Sequence, residues 1–167
     1  MSWTADEVAA TAVALAIERG LTVATAESLT AGLVAATLAD TPGASGMLQG
    51  GVVAYQNSVK AAVLGVSSEL LSAVGSVDAA VAVAMADGAR RACGADVGVS
   101  TTGVAGPLPH DGKPVGTVFI GVATSSGTTA HAYSFHGDRP AIRAQANVAA
   151  LERLLECLVR TDLPRVK

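Results

Sequence analysis

Residues 115–135 read VGTVFIGVATSSGTTAHAYSF. Two runs rich in β-branched and aromatic residues, Val115–Thr124 and Thr128–Phe135, flank the short turn Ser125-Ser126-Gly127. That pattern predicts a hairpin late in the chain. Upstream, strand-like runs alternate with helical ones. Thr4-Ala-Asp-Glu7 has the form of a capping box, and Val8, Ala12, Leu15 and Ala16 recur at helical spacing up to a stop at Gly20. Strands are predicted at Leu21–Thr25, Gly51–Tyr55 and Asp96–Thr101, and helices at Ala31–Ala39, Val59–Leu64, Ser67–Val74 and Asp78–Cys93, the last capped by Ser76. Gly103–Pro114 carries too many prolines and glycines for regular structure. Gly137-Asp138 caps a final helix, with Pro140 in its first turn, that runs to about Val159. Alternation early and a hairpin late imply an α/β fold. The expected form is a single-domain three-layer α/β/α sandwich whose mixed sheet combines parallel strands with a C-terminal antiparallel hairpin.

Composition agrees. The 167 residues include 34 Ala and 18 Gly, are 50% hydrophobic and 15% charged, and contain 3% aromatics. Disorder is excluded, and the core must come from Val, Leu, Ile and Ala in closely packed elements. One domain over 1–167 is expected, with a core at about 4–160 and a frayed tail at 161–167. Net charge is -3 and the longest basic cluster is Arg90-Arg91, so nucleic acid is not an expected partner. No apolar run approaches the roughly 20 residues of a membrane span, and the acidic N-terminus lacks a signal-peptide core. A cytoplasmic protein with no membrane partner is the expectation, and Cys93 and Cys157 then read as buried thiols. The Ala-rich Asp78–Cys93 helix could pack against a second copy, so a homo-oligomer, a dimer, is expected.

Several chemistries are absent by inspection. There is no P-loop, no G-x-G-x-x-G after the first strand, no G-x-S-x-G and no S-x-x-K. His131 and His136 fall an odd number apart on one predicted strand, hence on opposite faces, and no metal site is expected. No cofactor is expected either.

Four segments could carry chemistry. In Glu27-Ser28-Leu29-Thr30-Ala31-Gly32 a strand gives way to a helix, which places Ser28 at or near an N-cap. Ser28 is either a nucleophile beside first-turn N–H groups or a plain helix cap. In Tyr55-Gln56-Asn57-Ser58-Val59-Lys60, Lys60 falls in the first turn of a short helix, the wrong end for a cation. It is either a general base or a solvated surface lysine. Thr102-Gly103-Val104-Ala105-Gly106-Pro107 leaves a strand as a glycine loop at the expected ligand edge of the sheet, and Arg139 at the last helix start could meet a phosphate.

In order, these segments resemble the C-terminal domain of the CinA (competence/damage-inducible) family. The matching stretches are Ala24-Thr25-Ala26-Glu27-Ser28, residues 50–60, Gly103-Val104-Ala105-Gly106-Pro107, Lys113-Pro114-Val115-Gly116-Thr117-Val118 and Phe135-His136-Gly137-Asp138-Arg139. Standalone copies of that domain include nicotinamide-nucleotide amidases. The resemblance implies metal-free hydrolysis of nicotinamide mononucleotide to nicotinic acid mononucleotide and ammonia. Ser28 would be the nucleophile, Lys60 the base and Tyr55 a hydrogen-bonding proton relay. Leu29, Thr30, Gly32, Asn57, Thr102, Gly103, Ala105, Gly106 and Arg139 would bind this small-molecule nucleotide. The chain departs from the family at Leu29 and Ala31, where Cys and Gly are usual, and at Thr102, where Ser is usual. An amidase for another nucleotide-like amide, or a silent ligand-binding or interaction module linked to competence or DNA damage, stays open.

Overall fold

A computed structural model describes residues 2–160; the predicted frayed tail lies outside them. In chain order the elements are α1 (Ala5–Arg19), β1 (Val23–Glu27), α2 (Leu33–Ala39), β2 (Leu48–Val53), α3 (Asn57–Ala62), α4 (Ser68–Val74), α5 (Ala79–Cys93), β3 (Val97–Gly103), β4 (Thr117–Thr124), β5 (Gly127–Ser134) and α6 (Arg139–Val159). One sheet has the order β2-β1-β3-β4-β5. β1 runs parallel to both β2 and β3, whereas β3, β4 and β5 are antiparallel. The mixed α/β architecture is therefore the one expected.

The two faces of the sheet are built from different side-chain sizes. Successive residues of a strand point to opposite faces. On one face Val23, Val97, Val99, Val118, Ile120 and Val122 pack with Val8, Val13, Leu38, Leu151 and Leu154 of α1, α2 and α6. On the other, Ala24 and Ala26 meet Val81, Met85 and Ala89 of α5. Here α5 lies nearly against the strands. A methyl group on Gly98 would come 2.0 Å from the Ala86 carbonyl, and one on Gly121 would come 2.3 Å from that of Ala82. Ser100 Oγ donates to the Ala82 carbonyl at 2.5 Å. The small residues of α5 thus allow its close seat on the chain's own sheet.

Several boundaries move. β1 shifts from Leu21–Thr25 to Val23–Glu27, and it runs past Thr25 because Ala26 and Glu27 still pair with Ser100 and Thr101 of β3 and with Val52 and Val53 of β2. β2 is Leu48–Val53 and not Gly51–Tyr55. Gln49-Gly50-Gly51 has poor strand propensity, but tertiary pairing overrides it. Gly51 is required there, since a Cβ would sit 2.5 Å from Thr25 Oγ1. Asp78, not Ser76, caps α5, its Oδ1 accepting the Ala80 N–H at 2.8 Å. β5 ends at Ser134, so His136 lies beyond the strand that was expected to carry both histidines.

Candidate active site

β1 delivers Ser28 to the carboxyl edge of the sheet. The Ser28 N–H still donates to the Thr101 carbonyl at 3.0 Å, so the residue is fixed to the strand end. The chain then turns through Ala31 at φ 50° and Gly32 at φ 99°. Gly32, not Ser28, is the N-cap of α2. The physical reason is Glu27, a buried side chain that folds back over the turn. Its Oε1 accepts from Val34 N at 2.8 Å and Thr30 Oγ1 at 2.7 Å, and its Oε2 from Ala35 N at 3.0 Å and Thr25 Oγ1 at 3.3 Å. Two first-turn N–H groups are thereby satisfied by a carboxylate seven and eight residues upstream. They are not open to an oxyanion as expected from sequence. From the other side, Arg143 of α6 donates to the Leu29 and Thr30 carbonyls at 2.8 and 3.1 Å. Ser28 keeps its hydroxyl free of capping duty.

Lys60 meets that hydroxyl. It is the fourth residue of six-residue α3, in its last turn, so the helix dipole does not oppose its charge. Burial does. Only 1% of the side chain is exposed, although its helix neighbour Val63 is open to solvent. Nζ donates to Ser28 Oγ at 3.0 Å and to the Tyr55 carbonyl at 3.1 Å. Desolvation pulls the ammonium down from about 10.5 to about 8, against the opposing charge of Asp111. At pH 7 roughly one molecule in ten then carries a neutral amine, against about one in a few thousand for an unperturbed lysine.

Ser28 opens into a cleft of about 410 Å³ lined by Leu29, Tyr55, Ser76, Arg139 and the loop Gly103–His110. Arg139 bridges its walls, donating to the Gly106 carbonyl and the Tyr55 hydroxyl, both at 2.6 Å. The Tyr55 phenol therefore faces Arg139, and it is the Tyr55 main chain that touches Lys60. Of the other residues predicted to bind substrate, Leu29, Gly103, Ala105 and Gly106 line the cleft. Thr30 is buried, with its hydroxyl on Glu27 and 2.8 Å from that of Thr101. The Thr102 hydroxyl is bound to the Ser76 carbonyl at 2.6 Å. Gly32 is committed to the α2 cap, and Asn57 lines a separate depression with Ser58 and Ser68. Thr30, Gly32 and Asn57 stand outside the cleft because the turn and the two helix starts point them elsewhere, and Thr102 because its hydroxyl in β3 turns to Ser76. Sequence reasoning missed Glu27 and Arg143, whose partners exist only once α2 and α6 close over the turn. It also missed Asp111, although the Asp-Gly turn that presents it is visible in the sequence.

Among the described residues, no three His, Cys, Asp or Glu side chains converge as a metal site would require, and no helix is long and apolar enough to cross a membrane. Comparison with known proteins adds the lineage. Residues 5–158 match the family model for the CinA C-terminal domain. The chain is 48% identical over 161 residues to a CinA-like protein of Frankia casuarinae, covering 95% of this chain and 37% of that protein. It is 51% identical over 152 residues to a CinA-like protein of Anaeromyxobacter sp. (strain K), covering 89% and 37%. It thus spans about a third of the length of the curated relatives it matches. The competence damage-inducible protein A of Klebsiella pneumoniae superposes with a TM-score of 0.92 at 32% identity, over 96% of this chain and 100% of that one. The competence/damage inducible protein CihA of Agrobacterium tumefaciens gives 0.89 at 34% identity, over 96% and 100%. With the family model matched across nearly every described element and the mixed sheet shared with those structures, the chain belongs to the CinA C-terminal domain family.

Proposed function

We propose that this domain is an amidohydrolase that deamidates nicotinamide mononucleotide through a Ser28–Lys60 pair. The observation that carries it is a buried, partly neutral lysine 3.0 Å from a serine hydroxyl at the edge of a cleft. A neutral Lys60 rotates its lone pair toward Oγ and takes the Ser28 proton as Oγ adds to the carboxamide carbon. The same proton passes to the nitrogen, which leaves as ammonia, with the acyl group on Ser28. Water, deprotonated by Lys60, then adds to the acyl carbon, and the C–Oγ bond breaks to give the carboxylate and free serine. The Leu29 N–H follows Ser28 in the chain, has no acceptor among the described residues and is the donor we assign to the oxyanion. Arg139, at the cleft wall, supplies a guanidinium for the phosphate. Tyr55 orients Arg139 and, through its carbonyl, Lys60.

The test is ammonia release from nicotinamide mononucleotide, its riboside and a panel of other nucleotide amides. The mononucleotide is expected to be the best substrate, with the riboside much poorer. Ser28→Ala is expected to fold and to lose several orders of magnitude in turnover. Preference for another amide would keep the chemistry and change the substrate, and wild-type turnover by Ser28→Ala would overturn both.

A further inference from the structure

One wall of the cleft is a loop with little of its own to hold it. Pro107, Leu108, Pro109 and His110 line the cavity, and Leu108 stands 75% exposed at its crest. The base of the loop is tied by the Val104 N–H to the Thr117 carbonyl and the Gly116 N–H to the Val104 carbonyl. Its tip is a two-residue hairpin turn. His110 and Lys113 exchange backbone hydrogen bonds across Asp111 at φ 49° and Gly112 at φ 71°. Positive φ at both central residues is the hairpin geometry that Asp-Gly favours. This turn aims the Asp111 carboxylate away from the loop. Oδ2 accepts from Ser76 N at 2.9 Å and Ser76 Oγ at 3.0 Å. Gly75 makes room, since a Cβ there would lie 2.8 Å from that oxygen. The Ser76 carbonyl in turn accepts from Thr102 Oγ1 at the end of β3. The loop tip is thus chained to the sheet beside the cleft. The titratable side chains facing Asp111 are His110, 3.4 Å away, and Lys60. The Ser76 N–H is the main influence holding the Asp111 carboxyl below its usual range, so it is ionised at neutral pH.

We propose, resting on the amidase function above, that Asp111 is a positioning residue that latches the Pro107–His110 wall onto Ser76 and so fixes the width of the cleft for its substrate. The latch acts on substrate fit and not on the bond-making step, so its loss appears in KM before kcat. Asp111→Gly removes the carboxylate and keeps the turn, because Gly-Gly also accepts positive φ at both positions. Asp111→Asn keeps an amide oxygen for both Ser76 donors and removes the charge. Steady-state kinetics and amide hydrogen exchange at Ser76 test it together. Asp111→Gly is expected to raise KM about tenfold with kcat within about threefold of wild type, and to accelerate Ser76 exchange. Asp111→Asn is expected to restore both KM and protection. Removing the charge should also move the pH midpoint of kcat/KM to lower pH, because Asp111 raises the Lys60 pKa. Wild-type KM and protection in Asp111→Gly, or failure of Asp111→Asn to rescue them, would overturn the latch. If the wild type releases no ammonia from any amide, the amidase function fails. Ser76 exchange then decides the latch alone: fast exchange in Asp111→Gly with protection in Asp111→Asn upholds it, and any other result overturns it.

Discussion

At Glu27 four donors point at two carboxyl oxygens, and each oxygen receives one backbone N–H. Glutamine therefore has no good orientation, because either placement of its NH2 group faces a backbone donor. Glu27→Gln is expected to cost about 2–3 kcal/mol in urea unfolding and to lower kcat by loosening the Ser28 turn. Lys60 carries the opposite kind of load. Its folded pKa of about 8 lies below its ordinary value of about 10.5, so the unfolded chain binds the extra proton between those limits. The burial penalty is fully present below pH 8, about 3 kcal/mol, and fades as pH rises toward 10.5. Lys60→Met is accordingly expected to stabilise the fold by about 1–3 kcal/mol at pH 7, with the gain shrinking by pH 10, while abolishing turnover. In the wild type the same group makes kcat/KM rise with pH through about 8. Lys60→Arg keeps a charge that does not deprotonate and is expected to bind nucleotide without turning it over. A near-normal kcat in that variant would make Lys60 a binding residue. Sequence pointed to Ser28 and Lys60 through their motifs, but the helix-terminus contribution it gave the lysine fails, because Lys60 lies in the last turn of α3 and burial alone lowers its pKa. The burial that lowers it appears only once the chain is folded, with Lys60 1% exposed.

Elements were more legible where one local signal sufficed. The α1 capping box and the β4–β5 hairpin follow from a few adjacent residues. β2 was misread because Gly50 and Gly51 are there for what crosses them: Cys93 of α5 on one face and Thr25 of β1 on the other. The same logic governs α5. Its seat on β3 and β4 depends on Gly98 and Gly121, and no rotamer change relieves a methyl aimed at a backbone carbonyl. Gly98→Ala is expected to destabilise by about 3 kcal/mol in urea unfolding, the upper part of the range for overpacking. An unchanged midpoint would mean that α5 is free to lift off the sheet.

For the whole molecule, the arrangement gathers the ends of β1 and β3, α3 and the start of α6 at one edge of the sheet, with the helices supplying backing and Arg139. The reaction is assigned to a serine and a lysine, and among the described residues no three His, Cys, Asp or Glu side chains converge, so ammonia release is expected to survive exhaustive dialysis against a chelator. Loss on chelation with recovery on adding zinc or magnesium would replace the Ser/Lys mechanism by a metal-assisted one. The overall architecture was legible because its alternation and late hairpin are periodic signals. The cleft was only partly so, because Arg139, Tyr55 and the loop wall meet across distant segments. The unequal faces of the sheet carry a consequence for how the sequence tolerates error. Beneath α1 and α6, Val, Ile and Leu leave room for exchanges of similar volume. Beneath α5, any substitution of Gly98 or Gly121 adds atoms aimed at a backbone carbonyl, and any exchange of the alanines except to glycine adds them too. A random library selected for folding should accumulate aliphatic swaps on the first face and stay nearly blank on the second, so the side with the smallest residues is the one that drifts least.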